Sequence, residues 1–340
     1  MEWIMDSGDF FCHVEERNIS SICHVEERNI SEILRYALND KPCHVEERNI
    51  SEILRCALND KLYISLFMLL LMIFFTFPMH AMFNDYEPSA RARSMSGAVT
   101  SVSDDYSAIF YNPAGLKYAA TQAGATFYRP FNNDFQTVSA VSGSYESSIG
   151  SFGIGYQVMN VEYYDINLTS EQKFSLGHSF YLNKDINTEI SLGYSANLYS
   201  LSYHELGEES KIGINAGVIA VLHQRTKIGF MLTNINKPEM GKNQKHEIPQ
   251  MLAVGLSYIP YQGVITAIDL KKNWDGDTEL RTGVEVEIYP AFILRMGIRN
   301  NPASYSAGVG FKVMGINLDY AINTHAKLSL THHVALGYKF

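Results

Sequence analysis

The sequence predicts an all-β fold, a 14-stranded antiparallel transmembrane β-barrel that spans residues 121–340. Three observations predict it. Apolar residues recur at every second position, the intervening positions are rich in glycine and serine, and the connections alternate between short and long. Successive side chains of a strand point to opposite faces, so each segment has one apolar and one polar face. Segments of about ten residues with an apolar outside and a polar inside are typical of a membrane barrel.

The alternation is clearest in the second half of the chain. Leu328–Phe340 places most of its large apolar residues at even positions, and small or polar residues at most odd positions. The stretches 280–288, 292–298 and 316–322 alternate in the same way. The fourteen segments are centred near Thr126, Ala140, Gly155, Leu176, Tyr194, Ala216, Phe230, Val254, Ala267, Val284, Met296, Val309, Leu318 and Leu336.

An antiparallel sandwich would alternate too, but two features favour a closed barrel. Small residues on a lumen face leave room inside, whereas on a soluble surface they lower β-propensity without a gain. Connections after even segments are short, at 148–151, 183–187, 223–226, 260–263, 289–291 and 314–315. Those after odd segments are longer, at 160–171, 203–211, 234–249 and 271–278. Short periplasmic turns and long outer loops are expected of such a barrel, and an even strand number places both of its ends in the periplasm.

Composition excludes other classes of protein. The mean hydropathy of −0.09 is too low for a helical membrane protein, and the net charge of −9 comes without a basic patch, so no nucleic acid is expected as a partner. All four cysteines, Cys12, Cys23, Cys43 and Cys56, precede residue 60. A cysteine-free body suits an oxidising compartment.

Residues 1–60 carry an in-frame repeat. The string Cys-His-Val-Glu-Glu-Arg-Asn-Ile-Ser begins at Cys12, Cys23 and Cys43, and the last two copies continue almost identically. Such identity favours a DNA repeat translated from a start codon assigned too far upstream, with disordered or helical fragments as its structure. A metal-binding array and an amphipathic helix are the alternatives.

Residues 61–81 resemble a secretory signal peptide. Lys61 precedes the uncharged run Leu62–Phe77, Pro78 ends it, and Ala81 supplies a small residue at the cleavage position. The run is short for a spanning helix, which needs about 20 apolar residues, although an uncleaved anchor is the alternative. The mature chain is expected to begin near Met82.

The C-terminus resembles the recognition signal for outer-membrane barrel assembly. Phe340 is the last residue, and Tyr338 and Leu336 precede it at every second position. An ordinary edge strand would look similar. With the export signal, this end predicts the cell outer membrane as the location, and outer-membrane lipid and the barrel assembly machinery as partners.

Residues 82–120 do not alternate and instead contain two distinctive elements. The first is Ala90-Arg-Ala-Arg-Ser-Met-Ser-Gly-Ala98, and the second is Asp104-Asp-Tyr-Ser-Ala-Ile-Phe-Tyr-Asn-Pro-Ala-Gly-Leu116. Both closely resemble the N-terminal hatch of the FadL-type outer-membrane transporter superfamily, and more closely its PorV/PorQ-like branch. Ser96 replaces a glycine of that pattern. The resemblance covers residues 88–340 and implies a 14-stranded barrel with the hatch folded into its lumen.

The resemblance implies two functions. FadL-type members pass hydrophobic small molecules such as fatty acids, with hatch movement opening a lateral route into the bilayer. The PorV-like branch takes part in delivering proteins to the cell surface by type IX secretion, which implies secretion-system partners. The residues that match the hatch motif are Asp104, Asp105, Asn112, Pro113, Ala114 and Gly115. Asn112 and the aspartates are expected to bond backbone amides of a loop that lacks ladder partners, a structural role before a functional one.

Charged residues at lumen-facing positions of neighbouring segments form a candidate cluster. Its members are Asp269, Lys271, Arg281, Glu285, Glu287, Arg295 and Arg299. Mixed signs predict a salt-bridged wall that packs the hatch, whereas a selectivity lining would carry one sign.

We expect no enzyme, no metal and no cofactor. His332 and His333 point to opposite faces, the Gly308-Val309-Gly310 stretch precedes no helix, and no Gly-x-Ser-x-Gly turn occurs. An outer-membrane enzyme, the third hypothesis, would need a catalytic constellation at the rim of the barrel.

Overall fold

The structure is a computed structural model that describes residues 3–6, 9–12, 83, 87–164, 166–204, 207–241, 245–274 and 276–340. The chain divides into the units Met1–Pro78 and Met79–Phe340. In the first unit, the described residues form an antiparallel hairpin of Trp3–Asp6 with Asp9–Cys12. The rest of the predicted extension, 1–60, and the predicted signal peptide, 61–81, lie outside the described residues and stay predictions.

The second unit contains a closed barrel of fourteen antiparallel strands, which confirms the predicted fold. Every predicted segment is a strand. The first seven are β1 Gln122–Arg129, β2 Gln136–Ser147, β3 Gly150–Tyr163, β4 Ile166–Lys184, β5 Thr188–Tyr203, β6 Gly207–Leu222 and β7 Thr226–Thr233. The others are β8 Met251–Tyr258, β9 Val264–Asn273, β10 Thr278–Tyr289, β11 Phe292–Arg299, β12 Ser304–Val313, β13 Ile316–Asn323 and β14 Thr331–Lys339.

The barrel closes where β14 pairs with β1. Gly337 lies opposite Gly124 in this seam, and the Phe340 N–H donates to the Thr121 carbonyl oxygen at 3.1 Å. Because each strand bonds to two neighbours, the sheet has no free edge to expose to lipid.

Two predicted long loops are wrong. The described residues of 160–171 and 203–211 are strand except Tyr164 and His204, so β4 has 19 residues, and β5 and β6 have 16 each. Their outward faces carry polar pairs such as Ser170 with Asn160 at 2.8 Å. Polar residues interrupt the apolar alternation there, although the backbone ladder continues.

The two barrel ends differ, and we name them by their connections. The turn end carries the short connections, including 148–149 and 314–315, together with both barrel termini. The loop end carries the others, of which 234–250 is the longest and includes the small hairpin Glu239–Met240 with His246–Glu247.

Large apolar side chains cover the outside of the barrel. In β14, Val334, Leu336 and Tyr338 are exposed, whereas His333 and Ala335, at the alternate positions, are buried. A soluble domain would bury such a belt, so its exposure around a closed sheet indicates a lipid-facing surface. Among the described residues, no helix has the length and apolar composition needed to cross a bilayer.

The described part of the hatch, residues 87–120, fills the lumen. It contains helix α1 Ala90–Ser94, helix α2 Ala108–Tyr111 and a 3₁₀ helix at Pro113–Lys117. Ser89 caps α1, because its hydroxyl accepts a hydrogen bond from the Ala92 N–H. These helices are too short to be stable alone, so packing against the wall supports them.

Glycines on the inner wall form the seat of the hatch, which we call the glycine belt. A Cβ atom on any of them would lie less than 3.0 Å from a hatch atom, so a larger residue would require the hatch or its side chains to shift. Its members are Gly124, Gly153, Gly155, Gly177, Gly193, Gly217, Gly229, Gly255, Gly283, Gly297, Gly308 and Gly337. The small lumen residues that favoured a barrel therefore make room for the chain's own N-terminal segment.

Candidate functional site

Asn112 is completely buried at the centre of the hatch. Its Oδ1 accepts from the Ala114 N–H at 3.1 Å, and its Nδ2 donates to the Thr100 carbonyl oxygen at 2.8 Å and to that of Phe230 at 3.3 Å. It thus caps the 3₁₀ helix and ties two hatch segments to strand β7. The amide is suited to this, since it offers both an acceptor and two donors.

Three neighbours of Asn112 in the motif make close backbone contacts. A Cβ on Gly115 would lie 1.7 Å from the Ser103 carbonyl oxygen. The backbone of Pro113 and Ala114 lies directly against Gly193, and the Ser191 hydroxyl donates to the Ala114 carbonyl oxygen at 3.1 Å. This part of the motif therefore sets how closely the hatch approaches β5.

The acidic pair of the motif surrounds Arg91 of α1. Arg91 Nη1 lies 2.6 Å from Asp104 Oδ1 and 3.2 Å from Asp105 Oδ2. Asp105 also accepts from the Ser107 N–H at 2.8 Å, as expected from the sequence, whereas Asp104 pairs with Lys227 of β7 at 3.2 Å. Asp104 therefore connects the hatch to the wall through charge, and not through backbone amides.

Asp104 stays ionised in this setting. Burial by itself would raise the pKa of its carboxyl group, but the attraction of Arg91 and Lys227 outweighs burial and holds the pKa well below its usual value. A lowered pKa means that this contribution to stability is present above the ordinary carboxyl pKa and is lost only as the pH falls through the folded value.

The wall completes this network, which we call the Arg91 network. Arg91 Nε lies 2.9 Å from Glu285 Oε2 on β10, and Arg295 of β11 contacts the same oxygen at 2.6 Å. Arg295 also pairs with Asp319 of β13 at 2.6 Å. Opposite charges on the hatch and on three strands thus neutralise one another in a largely buried space.

The seven lumen charges predicted as one cluster are distributed over several places. Glu285 and Arg295 belong to the Arg91 network, whereas Arg281 pairs with Glu87 of the hatch and, at 2.6 Å, with Glu279. Three others lie elsewhere: Asp269 accepts from the Thr100 N–H at 2.8 Å, Lys271 lines a cavity at the loop end, and Glu287 lines a cavity at the turn end. Arg299 is buried near the end of β11.

Sequence reasoning missed Arg91, Glu87 and Lys227 as members of the site. Arg91 lies in the hatch element 90–98, so its basic side chain was a usable signal in the sequence. Its contact with Glu285 joins positions 194 apart in sequence, and no local pattern shows such a pairing.

Two cavities lie on opposite sides of the hatch and share no lining residue. The one at the loop end, which we call the chamber, has a volume of about 110 Å³. Its lining is mixed, and its large apolar members include Phe83, Phe110, Met159, Tyr199, Met231 and Met251. The one at the turn end, the vestibule, has about 670 Å³ and is bordered by Asp104, Tyr106 and Glu287. The hatch therefore separates two compartments of one lumen.

The connection 234–250 packs beside the chamber. Met240 and Ile248 are buried in a cluster with Tyr199 and Leu201, and Asn234 Nδ2 donates to the Pro249 carbonyl oxygen at 2.9 Å. The described part of this connection is therefore packed against the barrel wall. In the described part of the chain, no group of three or more histidine, cysteine or acidic residues could hold a metal ion.

Replacing Asn112 tests the role of the motif. In Asn112→Ala the Ala114 N–H and the Thr100 carbonyl lose their partner in a buried place, so we expect the docked hatch to lose about 2 kcal/mol. Limited proteolysis of the hatch at increasing denaturant concentrations, with the fragments identified by mass spectrometry, measures this loss. Asn133→Ala is the control, because Asn133 caps an exposed turn by accepting from the Gln136 N–H at 2.9 Å. Equal losses in the two variants would contradict the prediction.

The sequence model of the type IX secretion system membrane protein family PorP/SprF matches residues 162–338, which is more than half of the chain. This match is to PorP/SprF and not to the PorV/PorQ-like branch that the hatch resembles. Nothing among the curated proteins matches the sequence.

Solved structures share the fold. A mutant of the monoaromatic hydrocarbon channel TodX that lacks S2 and S3 aligns with a TM-score of 0.56 and 13% identity, over 74% of this chain and 99% of that one. The Pseudomonas putida toluene transporter TodX gives 0.51 and 13%, over 74% and 97%. A Pseudomonas aeruginosa FadL homologue gives 0.51 and 11%, over 74% and 98%. At such identities the likeness shows a FadL-type fold alone.

Proposed function

This chain belongs to the type IX secretion system membrane protein family PorP/SprF, and we propose that it acts in the outer membrane as a plugged channel for hydrophobic small molecules such as fatty acids. One observation carries the proposal: a chamber lined by aromatic and methionine side chains lies between the hatch and the wall. Ligand sites are typically concave and mostly apolar, with a few polar groups. The FadL-type fold supports the same function, and the proposal includes no enzymatic step.

Passage requires a change in the hatch. The chamber and the vestibule lie on either side of it, and the pairing of β1 to β14 is continuous around the barrel. A molecule in the chamber therefore has no path until hatch residues such as Phe110 move. The proposed transport is passive. Ligand binding can shift the hatch only by as much free energy as the ligand gains from binding the moved state rather than the resting state.

The second candidate function is a component of type IX secretion, and the family match favours it. In that role the barrel contacts secretion-system proteins and the hatch only seals the lumen. The narrower resemblance to the PorV/PorQ-like branch belongs to this candidate. The two functions differ in what they require of the hatch, because a channel needs it to move and a sealed component does not.

A disulfide between hatch and wall tests the difference. Ser96 Oγ lies 3.0 Å from Ser306 Oγ on β12, a separation that suits a Ser96→Cys, Ser306→Cys pair. We expect this lock to abolish uptake of radiolabelled hexadecanoate and toluene by cells, and reductant to restore it. The matched control is Ser200→Cys with Ser210→Cys, whose hydroxyls lie 2.8 Å apart on the wall strands β5 and β6.

Protein secretion is measured in the same cells. Uptake that continues in the oxidised lock would contradict the channel. Deletion of the gene would remove type IX cargo from the cell surface if the second candidate is right. Restoration of that cargo by the locked variant would then favour the second candidate. Co-purification of secretion-system proteins with the locked barrel is its independent check.

The C-terminal residue is expected to matter for assembly. Phe340 is exposed beyond the last strand, and its ring packs edge-on against Tyr338 at 4.9 Å, so the fold makes little use of it. Phe340→Ser is expected to lower the amount of folded protein in outer-membrane fractions about tenfold. This corresponds to a loss of about 1.4 kcal/mol in recognition by the barrel assembly machinery. Heat-modifiable electrophoresis of membrane fractions measures it. Val313→Ser, at another exposed apolar position, is the control; equal loss there would attribute the effect to general destabilisation.

A further inference from the structure

Gln157 is an unpartnered polar side chain on the chamber wall. It lies on β3, is 4% exposed, and neither its Nε2 nor its Oε1 makes a hydrogen bond with any described residue. Burying an amide without partners costs free energy, so native proteins rarely leave both of its polar atoms unused. The side chain offers two donors and one acceptor to the chamber.

Lys173 lies directly across from Gln157, on β4. Side chains opposite each other on antiparallel strands have Cβ atoms about 5 Å apart, so the two polar groups border one spot. The Lys173 ammonium lies 5.0 Å from the centre of the Phe110 ring and makes no ion pair within the described residues. A half-buried cation without a carboxylate is an available partner for an anion.

The charges that line the chamber are of both signs. Lys271 also lines the chamber, whereas the Arg281 charge is taken by Glu87 and Glu279. Glu171, the nearest acid on β4, accepts from the Phe83 N–H at 2.9 Å, toward the loop end. An anion beside Gln157 therefore lies close to the Lys173 ammonium, on the residue directly across the strand pair.

The chamber lining also includes apolar, adaptable side chains. Phe110 and Tyr199 offer ring faces, and Met159, Met231 and Met251 offer flexible thioethers that pack well against aromatic groups. A ligand that spans the chamber thus needs a polar end and an apolar body.

The volume limits the ligand. The chamber volume of about 110 Å³ is well below the range of about 300–1,000 Å³ that is typical of ligand pockets. A long acyl chain therefore does not fit without rearrangement, and the chamber favours a compact ligand such as a single ring with a short acidic arm.

We propose that the chamber binds a compact organic anion, a ring or short chain with one carboxylate, whose carboxylate lies on Lys173 and the Gln157 amide. The body of the ligand packs between Phe110 and the chamber methionines. The site stands on its own geometry, and it rests on the proposed function only in that such anions would then be what the channel carries.

Equilibrium dialysis of the purified full chain in detergent tests the site, with radiolabelled phenylacetate as the probe. We expect saturable binding, weakened at least about tenfold by Lys173→Met and several-fold by Gln157→Leu. Lys184→Met is the matched control, because Lys184 lies on the same strand with its ammonium 4.6 Å from the Tyr181 ring, outside the chamber. Heat-modifiable electrophoresis establishes that each variant is folded.

Further probes separate the outcomes. Toluene lacks the carboxylate, so its binding should be the same in Lys173→Met as in the parent chain. Hexadecanoate that binds as tightly as phenylacetate would overturn the compact ligand, and phenylacetate binding that is absent or equal in Lys173→Met would overturn the site. Anion binding without cellular uptake of any probe would contradict the proposed channel and support the anion site. Uptake of neutral hydrocarbons without anion binding would support the channel and contradict the anion site.

Discussion

Gly193→Val is expected to unseat the hatch and convert a closed barrel into an ion-conducting pore. A Cβ at this position would lie 2.2 Å from the Ala114 nitrogen and 2.3 Å from the Pro113 carbonyl carbon. Both are backbone atoms, so no side-chain rotation can relieve the clash. Because valine suits a strand and the ladder with β4 and β6 is unaffected, we expect the wall to persist while the hatch moves.

The size of the effect follows from overpacking, which typically costs about 1–3 kcal/mol in a well-packed interior. Here that cost falls on hatch docking alone. Planar-bilayer recordings should show steady conductance for Gly193→Val where the parent chain is closed, and protease should cleave within 87–120. The control is Gly143→Val, since a Cβ at Gly143 meets its nearest atom at 3.4 Å. A closed Gly193→Val barrel with a fully protected hatch would refute the proposed seat.

Arg91→Met is expected to release the other side of the hatch. Arg91 contacts Asp104, Asp105 and Glu285, so its loss leaves three carboxylates close together and largely out of water. Removing one partner of a buried ion pair typically costs about 3–5 kcal/mol, and the partial exposure of the aspartates favours the lower end. Protease protection of the hatch against denaturant measures the change.

The pH dependence of this variant has a definite sign. In the parent chain the pKa of Asp104 is lowered, so the contribution of Asp104 to docking stays constant between about pH 5 and 8. Without the guanidinium the carboxylates repel one another, and docking of Arg91→Met should improve as the pH falls and protons neutralise them.

Two variants show whether charge is the cause. Adding Glu285→Gln to Arg91→Met removes one of the three acids and should recover part of the loss, while Arg295 keeps Asp319 as a partner. Arg129→Met breaks a pair with Asp134, which is 98% exposed, and should cost less than about 1 kcal/mol. If the hatch of Arg91→Met is as protected from protease as that of the parent chain at neutral pH, the Arg91 network does not hold the hatch in place.

Much of the barrel could be predicted, because a strand's two-residue period is written in neighbouring residues. β14 shows this, where Val334 and Leu336 face outward and His333 and Ala335 face inward as expected. The same signal failed at 160–171, because polar residues such as Asn160 and Ser170 interrupt the apolar alternation there while the backbone continues to pair.

The sequence by itself determined the number of strands and the face that most strand side chains occupy, and its small inward residues indicated room in the lumen. The family resemblance implied that the hatch occupies that room, and only the tertiary structure decided how the hatch is held. Arg91 meets Glu285 across 194 positions, Gly193 meets Ala114, and Gln157 and Lys173 face one chamber. Such contacts depend on barrel closure and on the path of the hatch, and neither leaves a periodic trace in the chain.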